Sequence, residues 1–312
     1  MRMLRILVYR PDAGVSLWVE DLQAALPDAQ IVAWREGERI ARCDYAVIWS
    51  PPPALLDVLA EVKAIFLMGA GADAILKHGD ALPSTPIIRV GDAGMGIQMI
   101  EYVTHAVLRY YRRFDDYEKQ ARSGVWAPLP LIPKKDFSVG VLGAGKLGCR
   151  VLEGLAPLGF PLRSWSRSPK EIAGVRSFHG SDQLDAFLEG TRALVCMLPL
   201  TPETSNLLDR ARLARLPQGS YLINVARGAH VSEPDLMALV KNGHIAGATL
   251  DVFRNEPLPG PHPFWEEPRI TITPHISGTT VRSESIVQII GKIDALERGE
   301  RVDDVVDRGR GY

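Results

Sequence analysis

Short runs of apolar and β-branched residues alternate with longer amphipathic stretches along the first hundred residues. The runs have the length of strands, and the stretches between them have the spacing of helices. Strands that alternate with helices are typical of βαβ units, which build a parallel sheet. The pattern predicts five strands here, at residues 4–9, 30–34, 45–49, 64–68 and 86–90.

A different pattern follows at residues 95–122, which contain no proline. Apolar residues recur there at helical spacing, namely Met99, Val103, Ala106, Val107 and Tyr110. The spacing predicts one helix of about seven turns. The proline-rich stretch 126–133 is then expected to be a connection.

A second series of strands is predicted at residues 137–142, 162–165, 193–198, 221–225, 246–252 and 270–273. The helical pattern at 283–296 has no strand of this series after it, so it is expected to carry the chain back to the first series. The prediction is an α/β protein with two Rossmann-like or flavodoxin-like parallel-sheet domains and an active site in the interdomain cleft. Their expected bounds are 1–98 plus 285–312, and 99–284.

Composition narrows the function classes. Of 312 residues, 36 are Lys or Arg and 37 are Asp or Glu, so the formal charge is −1 and argues against a nucleic-acid or membrane-surface binder. The cysteines, Cys43, Cys149 and Cys196, lie far apart and lack metal-ligand spacing, which predicts free thiols in a reducing compartment and no metal site. No apolar run reaches the roughly 18 residues of a membrane span. We expect a cytoplasmic protein.

A glycine-rich turn follows the strand at 137–142. It reads Gly143-Ala144-Gly145-Lys146-Leu147-Gly148 and opens a helical pattern, which gives the G-x-G-x-x-G spacing its required strand-turn-helix context. Such a turn allows a tight bend, a close approach of backbone N–H groups to a pyrophosphate, and close packing of helix and strand. The turn predicts dinucleotide binding, with the side chain of Lys146 directed to solvent.

The end of the next strand indicates which dinucleotide is preferred. An NAD site would place Asp or Glu there, but the chain reads Trp165-Ser166-Arg167-Ser168-Pro169-Lys170. Hydroxyl, guanidinium and ammonium groups are suited to a 2′-phosphate. We predict NADPH over NADH as the preferred cofactor, with NADH still possible. The alternative is that Arg167 and Lys170 are solvated surface charges.

Three later segments follow predicted strands and carry Arg227, then Asp251 and Glu256 in D-V-F-x-x-E-P, then His275 in T-P-H. Together with the glycine turn, they resemble the D-isomer-specific 2-hydroxyacid dehydrogenase family over nearly the whole chain. The resemblance implies further cofactor contacts from Leu198, Pro199, Thr204, Val225, Ala226 and Asp251. It also implies reduction of a 2-oxo acid and a homodimer formed through the helix at 96–121.

Within that family, several segments look like those of bacterial glyoxylate/hydroxypyruvate reductases, including Trp49-Ser-Pro-Pro52, Gly91–Gly96 and Val306–Tyr312. Glyoxylate and hydroxypyruvate are therefore the expected substrates. A related enzyme that acts on a different acid, such as D-lactate or phosphoglycerate, is an alternative. So is a nucleotide-sensing protein of the same fold, because fold and motif alone do not establish an activity.

The residue types fit such a reduction, which needs a proton donor at the carbonyl oxygen and positive charge near the carboxylate. His275 is the expected acid, with Glu256 against its other nitrogen to orient the ring and stabilise the imidazolium. Arg227 is expected to bridge the keto oxygen and the carboxylate, unless it only forms a salt bridge at a strand end. Asp251 either contacts the nicotinamide side or is a turn-forming carboxylate.

The first domain is expected to complete the carboxylate site. After the strand at 64–68 comes Gly69-Ala70-Gly71, a glycine turn before a helix, whose backbone N–H groups can face an anion. The family resemblance places a substrate loop there. Trp49, at the end of the preceding strand, is either a wall of the pocket that favours small substrates or a core aromatic.

Overall fold

A computed structural model describes residues 3–38 and 40–312, and the chain divides into two compact units. The first comprises Met1–Gly94 and Thr280–Tyr312, and the second comprises Met95–Thr279. The predicted bounds, 98/99 and 284/285, lie a few residues further along the chain than these. Residues 1, 2 and 39 of the predicted first domain lie outside the described residues.

The strands are β1 (Arg5–Tyr9), β2 (Gln30–Ala33), β3 (Tyr45–Ile48), β4 (Ala64–Leu67), β5 (Ile87–Ile88), β6 (Val139–Leu142), β7 (Leu162–Ser166), β8 (Val175–His179), β9 (Ala193–Cys196), β10 (Ser220–Asn224), β11 (Ile245–Leu250) and β12 (Ile270–Ile272). The α-helices are α1 (Val15–Ala25), α2 (Leu56–Leu59), α3 (Asp73–Leu76), α4 (Met95–Tyr111), α5 (Phe114–Arg122), α6 (Lys146–Leu155), α7 (Leu184–Glu189), α8 (Arg210–Leu213), α9 (Glu233–Lys241) and α10 (Arg282–Glu297).

Each unit is built on one parallel sheet. The first unit has a five-stranded sheet in the order β2-β1-β3-β4-β5, and the second has a seven-stranded sheet in the order β12-β11-β10-β9-β6-β7-β8. The predicted α/β class with two parallel sheets is confirmed. In the second sheet the chain runs outward from β6 in one direction and from β9 in the other, so β6 and β9 form the topological switch point, where α/β sheets bind ligands.

The second sheet is buried on both faces because successive side chains of its central strands alternate between two apolar clusters. In β6, Val139 and Val141 pack in one cluster with α4 and α6, whereas Leu142 packs in the other. In β9, Val195 packs in the cluster with α4 and α6, and Cys196 packs in the other cluster. This burial fixes which strand ends lie side by side, and so which loops meet. None of the helices in the described part of the chain combines the length and apolar character that a membrane crossing requires.

The single helix predicted over 95–122 is wrong. The helix breaks after Tyr111, Arg113 has a left-handed backbone with φ 60°, and α5 begins at Phe114. The apolar stripe that predicted the helix ends at Tyr110, and α5 has no buried residue. Beyond Tyr110 the prediction depended only on the absence of proline.

Strand β8 was not predicted from the sequence. This strand lies at the edge of the second sheet, and Phe178 is its one buried residue. An edge strand that is mostly exposed needs no apolar run, which explains the weak signal.

Candidate active site

The glycine turn joins β6 to α6 at the switch point. Gly143 has φ +113°, and a Cβ added there would lie 2.7 Å from the backbone carbonyl of Met197. A Cβ on Gly148 would lie 2.1 Å from the carbonyl oxygen of Gly143. Gly145 differs, because its Cβ would meet no atom within 4 Å. The turn is therefore tightly packed on one side and open at the start of α6.

The segment after β7 contacts this turn through Lys170. Lys170 donates a hydrogen bond from Nζ to the carbonyl oxygen of Ala144. Arg167 and Ser168 are exposed, and the Ser166 hydroxyl donates to the Ser168 carbonyl at 2.8 Å. Lys146 and Leu147, in the first turn of α6, are exposed and half-buried respectively. Positive charge therefore lies beside the open part of the turn.

Trp165 contributes to this region through its backbone. Its side chain is buried in the core, and the indole N–H donates to the carbonyl of Gly180 at 2.8 Å. Its carbonyl accepts from the N–H groups of Gly143 at 2.9 Å and Ala144 at 3.2 Å. The ring is thus a core side chain, and the indole N–H is used within the fold.

The loop after β9 lies on the other side of the switch point. The Leu198 side chain is buried, and the Thr204 hydroxyl donates to the carbonyl of Pro199 at 2.8 Å. The same hydroxyl accepts from the N–H of Thr201 at 2.8 Å. The polar atoms of Thr204 therefore hold the loop closed.

Arg227 follows β10, after two buried residues, Val225 and Ala226. One guanidinium nitrogen, Nη1, donates to the carbonyl of Ala226 at 2.7 Å. The next residue, Gly228, allows a close approach of two loops, because a Cβ there would lie 1.9 Å from the carbonyl carbon of Phe253. This packing brings the loop that carries Arg227 against the loop after β11 that carries Glu256.

Glu256 and His275 meet directly. The Nδ1 atom of His275 lies 2.7 Å from Oε2 of Glu256, and Oε1 of Glu256 accepts from the N–H of Phe253 at 2.9 Å. The side chains are 45% and 35% exposed, so the pair is accessible to a small molecule. Because a carboxylate only accepts, Nδ1 carries a proton. The ring orientation is therefore set by Glu256, with Nε2 as the nitrogen that does not face the carboxylate.

Asp251 holds the turn that presents His275. Its carboxylate is completely buried and accepts from the N–H groups of Ile276 at 2.8 Å and Ser277 at 2.7 Å, and from the Thr273 hydroxyl at 2.5 Å. The N–H of His275 donates to the Asp251 carbonyl at 2.9 Å. This arrangement favours the turn-forming role over the cofactor contact expected for this carboxylate.

The His275 turn has a strained backbone, because His275 has φ 56°, which is uncommon outside glycine. Such a conformation persists only where surrounding contacts hold it. The Asp251 contacts are of this kind, and Tyr102 of α4 extends them with a hydroxyl 2.5 Å from that of Thr273. Burial raises the pKa of Tyr102 to about 12, so this hydroxyl remains a donor at neutral pH.

In the first unit, Trp49 and the glycine turn lie together. A Cβ on Gly69 would lie 3.0 Å from Cζ3 of the half-buried Trp49 ring. Ala70 and Gly71 are half-buried, and Nη1 of Arg89 lies 3.4 Å from the carbonyl of Ala70. Arg89 follows the short strand β5 and brings a cation to the turn, and it was not predicted from the sequence.

Tyr102, Thr273 and His230 were also not among the site residues predicted from the sequence. Tyr102 belongs to a helix far from the motifs along the chain, and its partner is visible only in three dimensions. Thr273 stands in the T-P-H motif, and its hydroxyl was a signal that was not used. Among the described residues, no group of three or more His, Cys, Asp or Glu side chains is arranged to hold a metal ion.

Comparisons with known proteins show which family the chain is similar to. The model of the D-isomer specific 2-hydroxyacid dehydrogenase, NAD binding domain, matches residues 104–277. A glyoxylate/hydroxypyruvate reductase A of Yersinia enterocolitica is 45% identical over 314 residues, which is 99% of this chain and 100% of that protein.

Two solved structures are similar over the same extent. The D-isomer specific 2-hydroxyacid dehydrogenase from Xanthobacter autotrophicus Py2, in complex with NADPH and MES, has a TM-score of 0.93 at 39% identity, with 99% and 100% of the two chains covered. The NADPH-dependent glyoxylate/hydroxypyruvate reductase from Sinorhizobium meliloti, in complex with NADP and sulfate, has a TM-score of 0.91 at 31% identity, with the same coverage. The chain therefore belongs to the D-isomer-specific 2-hydroxyacid dehydrogenase family.

Proposed function

We propose that the protein reduces small 2-oxo acids to 2-hydroxy acids with NADPH, converting glyoxylate to glycolate and hydroxypyruvate to D-glycerate. The observation that carries the proposal is the 2.7 Å contact between His275 and Glu256 in the unit that holds the glycine turn. A paired, accessible imidazole is a suitable general acid. The names of the relatives from Yersinia enterocolitica and Sinorhizobium meliloti support the substrates.

The chain's own residues fit the cofactor. The open space over Gly145 and the backbone N–H groups at the start of α6 suit a pyrophosphate. Arg167, Ser168 and Lys170 suit a 2′-phosphate, and no acidic residue stands among residues 165–170. When bound, NADPH supplies the hydride. The NADPH complex of the relative from Xanthobacter autotrophicus Py2 and the NADP complex of the reductase from Sinorhizobium meliloti support this assignment.

Three side chains carry the chemistry in this proposal. Arg227 binds the substrate carboxylate and the keto oxygen, and its positive charge stabilises the negative charge that develops on that oxygen. His275 donates the Nε2 proton to the same oxygen as the carbon accepts the hydride, so the C=O bond becomes CH–OH. Glu256 holds the Nδ1 proton and stabilises the charged ring before the transfer. Asp251 maintains the turn that presents His275.

We assign the remaining carboxylate contacts to the first unit. The turn at Gly69, Ala70 and Gly71 offers backbone N–H groups, and the guanidinium of Arg89 adds positive charge to it. The Trp49 ring packs on this turn and, in this proposal, limits the size of the substrate. Small acids are therefore expected to be reduced in preference to longer ones.

The experiment that tests the function measures initial rates of NADPH and NADH oxidation with glyoxylate, hydroxypyruvate and pyruvate. We expect fast turnover of NADPH with the first two acids. His275→Asn removes the proton donor and should lower kcat by about 100-fold or more. Arg167→Ala should raise the KM for NADPH and leave that for NADH unchanged. Tight NADPH binding without turnover of any of these acids would contradict the proposal.

We also propose a cytoplasmic homodimer. Cys43, Cys149 and Cys196 are free thiols, in keeping with a reducing compartment. Several large apolar side chains before and after Gly124 are exposed, namely Phe114, Tyr117, Val125, Trp126 and Leu131. Exposed apolar side chains that cluster along one segment mark an interaction surface. The contact region proposed for the dimer therefore extends beyond residues 96–121, which belong to α4, α5 and the turn between them, into the proline-rich connection.

A further inference from the structure

His230 is a completely buried imidazole that the proposed reaction does not use. It closes a short 3-10 turn, Gly228–His230, which directly follows Arg227. It was not predicted from the sequence, because it has no motif like that of His275. Its surroundings are nevertheless polar, since both ring nitrogens face backbone groups.

The positions of these groups determine which ring nitrogen carries the proton. Nε2 lies 3.2 Å from the carbonyl oxygen of Pro199, which can only accept, so Nε2 is the donor. Nδ1 lies 3.2 Å from the N–H of Arg227 and 2.9 Å from its carbonyl oxygen. In the neutral ring Nδ1 is an acceptor, and it therefore pairs with the N–H.

The Arg227 carbonyl has other donors. Nδ2 of Asn224 lies 3.0 Å from it, and the backbone N–H of His230 lies 3.2 Å from it. With the proton on Nε2, the ring donates to the Pro199 carbonyl and accepts from the N–H of Arg227, while the Arg227 carbonyl keeps Asn224 and the His230 N–H as donors. A second proton on Nδ1 would face the N–H of Arg227 and place a charge in a fully buried position, which is costly.

The ring joins two loops of the second unit. Pro199 lies in the loop after β9, for which the family resemblance implies cofactor contacts, and Arg227 follows the neighbouring strand β10. We propose that His230 is a positioning residue that sets the backbone of Arg227 through Nδ1 and the cofactor loop through Nε2. The inference depends on the proposed function for the substrate contact of Arg227, and on the family resemblance for the cofactor contacts of the loop after β9.

Two conservative variants separate the contacts. In His230→Asn the side-chain oxygen can replace Nδ1 as the acceptor for the Arg227 N–H, but nothing reaches Pro199. In His230→Gln the amide can replace Nε2–H as the donor to Pro199, but the acceptor for Arg227 is lost. His230→Leu fills the site and makes neither bond.

Steady-state kinetics with glyoxylate and NADPH provide the readout. We expect His230→Gln to raise the KM for glyoxylate by about tenfold and to change the KM for NADPH by less than about twofold, because one hydrogen bond is worth about a factor of ten. His230→Asn should raise the KM for NADPH and leave the KM for glyoxylate nearly unchanged. His230→Leu should raise both KM values. Equal changes of both KM values in the Asn and Gln variants would overturn the proposal, because a ring that only fills space has no such selectivity.

A second measurement needs no variant. In the wild-type protein labelled with ¹⁵N-histidine, the His230 ring should be neutral with the proton on Nε2 from pH 6 to pH 8. A proton on Nδ1, or titration within this range, would overturn the inference.

The same experiments distinguish failure of the inference from failure of the proposed function. If the wild type does not turn over, the proposed reaction is wrong. The variants are then compared by binding, with NADPH and with oxalate as a carboxylate probe. Weaker NADPH binding in the Asn variant alone, together with weaker oxalate binding in the Gln variant alone, still supports the positioning role. Equal weakening of both ligands in both variants refutes it.

Discussion

At the scale of single residues, the glycines of the turn after β6 differ in what an added side chain would meet. Gly143 and Gly148 face backbone atoms at distances that no Cβ tolerates, whereas Gly145 faces open space. Gly143 and Gly148 are therefore required by the fold. Gly145 is required only by a ligand that occupies this space, so the requirement of the fold and the requirement of the ligand can be measured separately.

We expect Gly145→Ala to leave the free energy of unfolding unchanged or to raise it by about 0.5 kcal/mol, because alanine restricts the unfolded chain. The added methyl group occupies the space assigned to the pyrophosphate, so the KM for NADPH should rise by about tenfold or more. Gly260→Ala is the matched control, because a Cβ there also meets no atom within 4 Å. An unchanged KM in Gly145→Ala would exclude this turn as the phosphate site.

The hydroxyl of Tyr102 supports the His275 turn from α4 through Thr273 and Asp251. Tyr102→Phe keeps the ring and removes the donor, which should lower the free energy of unfolding by about 1 kcal/mol and Tm by about 2–4 °C. The kcat should also fall, because the strained turn loses part of its support. Thermal unfolding and initial rates measure the two effects.

Tyr117→Phe is the control for this substitution. Its hydroxyl accepts one bond, from the N–H of Leu129 at 2.9 Å, in an exposed position. Loss of the Tyr117 hydroxyl should lower the free energy of unfolding less than loss of the Tyr102 hydroxyl does. It should leave kcat unchanged. Equal effects of the two substitutions would show that the buried network has no special role in holding the turn.

At the scale of elements, one ion pair fixes the start of β12. Glu267 accepts from Arg269 at 2.7 and 2.8 Å, and Nη1 of Arg269 donates to the carbonyl of Val240 in α9 at 2.6 Å. The hydrogen bonds from Arg269 lower the pKa of Glu267. Because the folded pKa lies below the unfolded value of about 4.3, the pair stabilises the fold above that pH. This contribution is lost as the pH falls through the folded pKa.

Glu267→Gln should therefore lower the free energy of unfolding by about 1 kcal/mol at pH 7, a value that allows for partial exposure of Arg269. The difference from the wild type should shrink as the pH falls below about 4. Urea unfolding at several pH values measures it. Glu266→Gln, at the exposed neighbouring position, should have little effect at any pH. A loss that is independent of pH would contradict the role of the carboxylate charge.

How well the elements could be predicted depended on whether each one carries an apolar run. The central strands β1, β3, β4, β6, β9 and β10 were predicted because their apolar runs are buried on both faces. The edge strand β2 was predicted from its apolar residues Ile31, Val32 and Ala33 although none of its residues is buried, whereas β8 and the break at Arg113 lack such a run and were not predicted. The segments around Gly143, Arg227, Glu256 and His275 could be found by motif, but the contacts through Tyr102 and His230 connect residues that no local pattern joins.

At the scale of the whole molecule, the exposed apolar residues of the second unit predict self-association. Trp126 is 100% exposed and Leu131 is 84% exposed, so burial by a second copy would remove much apolar surface from water. We expect sedimentation equilibrium to give twice the chain mass of 34.3 kDa. Trp126→Ser combined with Leu131→Asp should shift the mass towards one chain.

Val287→Asp serves as the control for the dimer. Val287 is 71% exposed, but it belongs to α10 of the first unit. This substitution should leave the mass unchanged. A wild-type protein that sediments as a single chain at micromolar concentration would refute the homodimer.

The left-handed backbone at His275 also limits which sequences can occupy this position. Asparagine, aspartate and glycine tolerate a positive φ, whereas valine, isoleucine and threonine do not, because their branched Cβ meets the backbone. In a library randomised at residue 275 and selected only for folding, survivors should be enriched in the first group and depleted of the second. The set of side chains available for new chemistry at this position is thus restricted by the turn before any substrate binds.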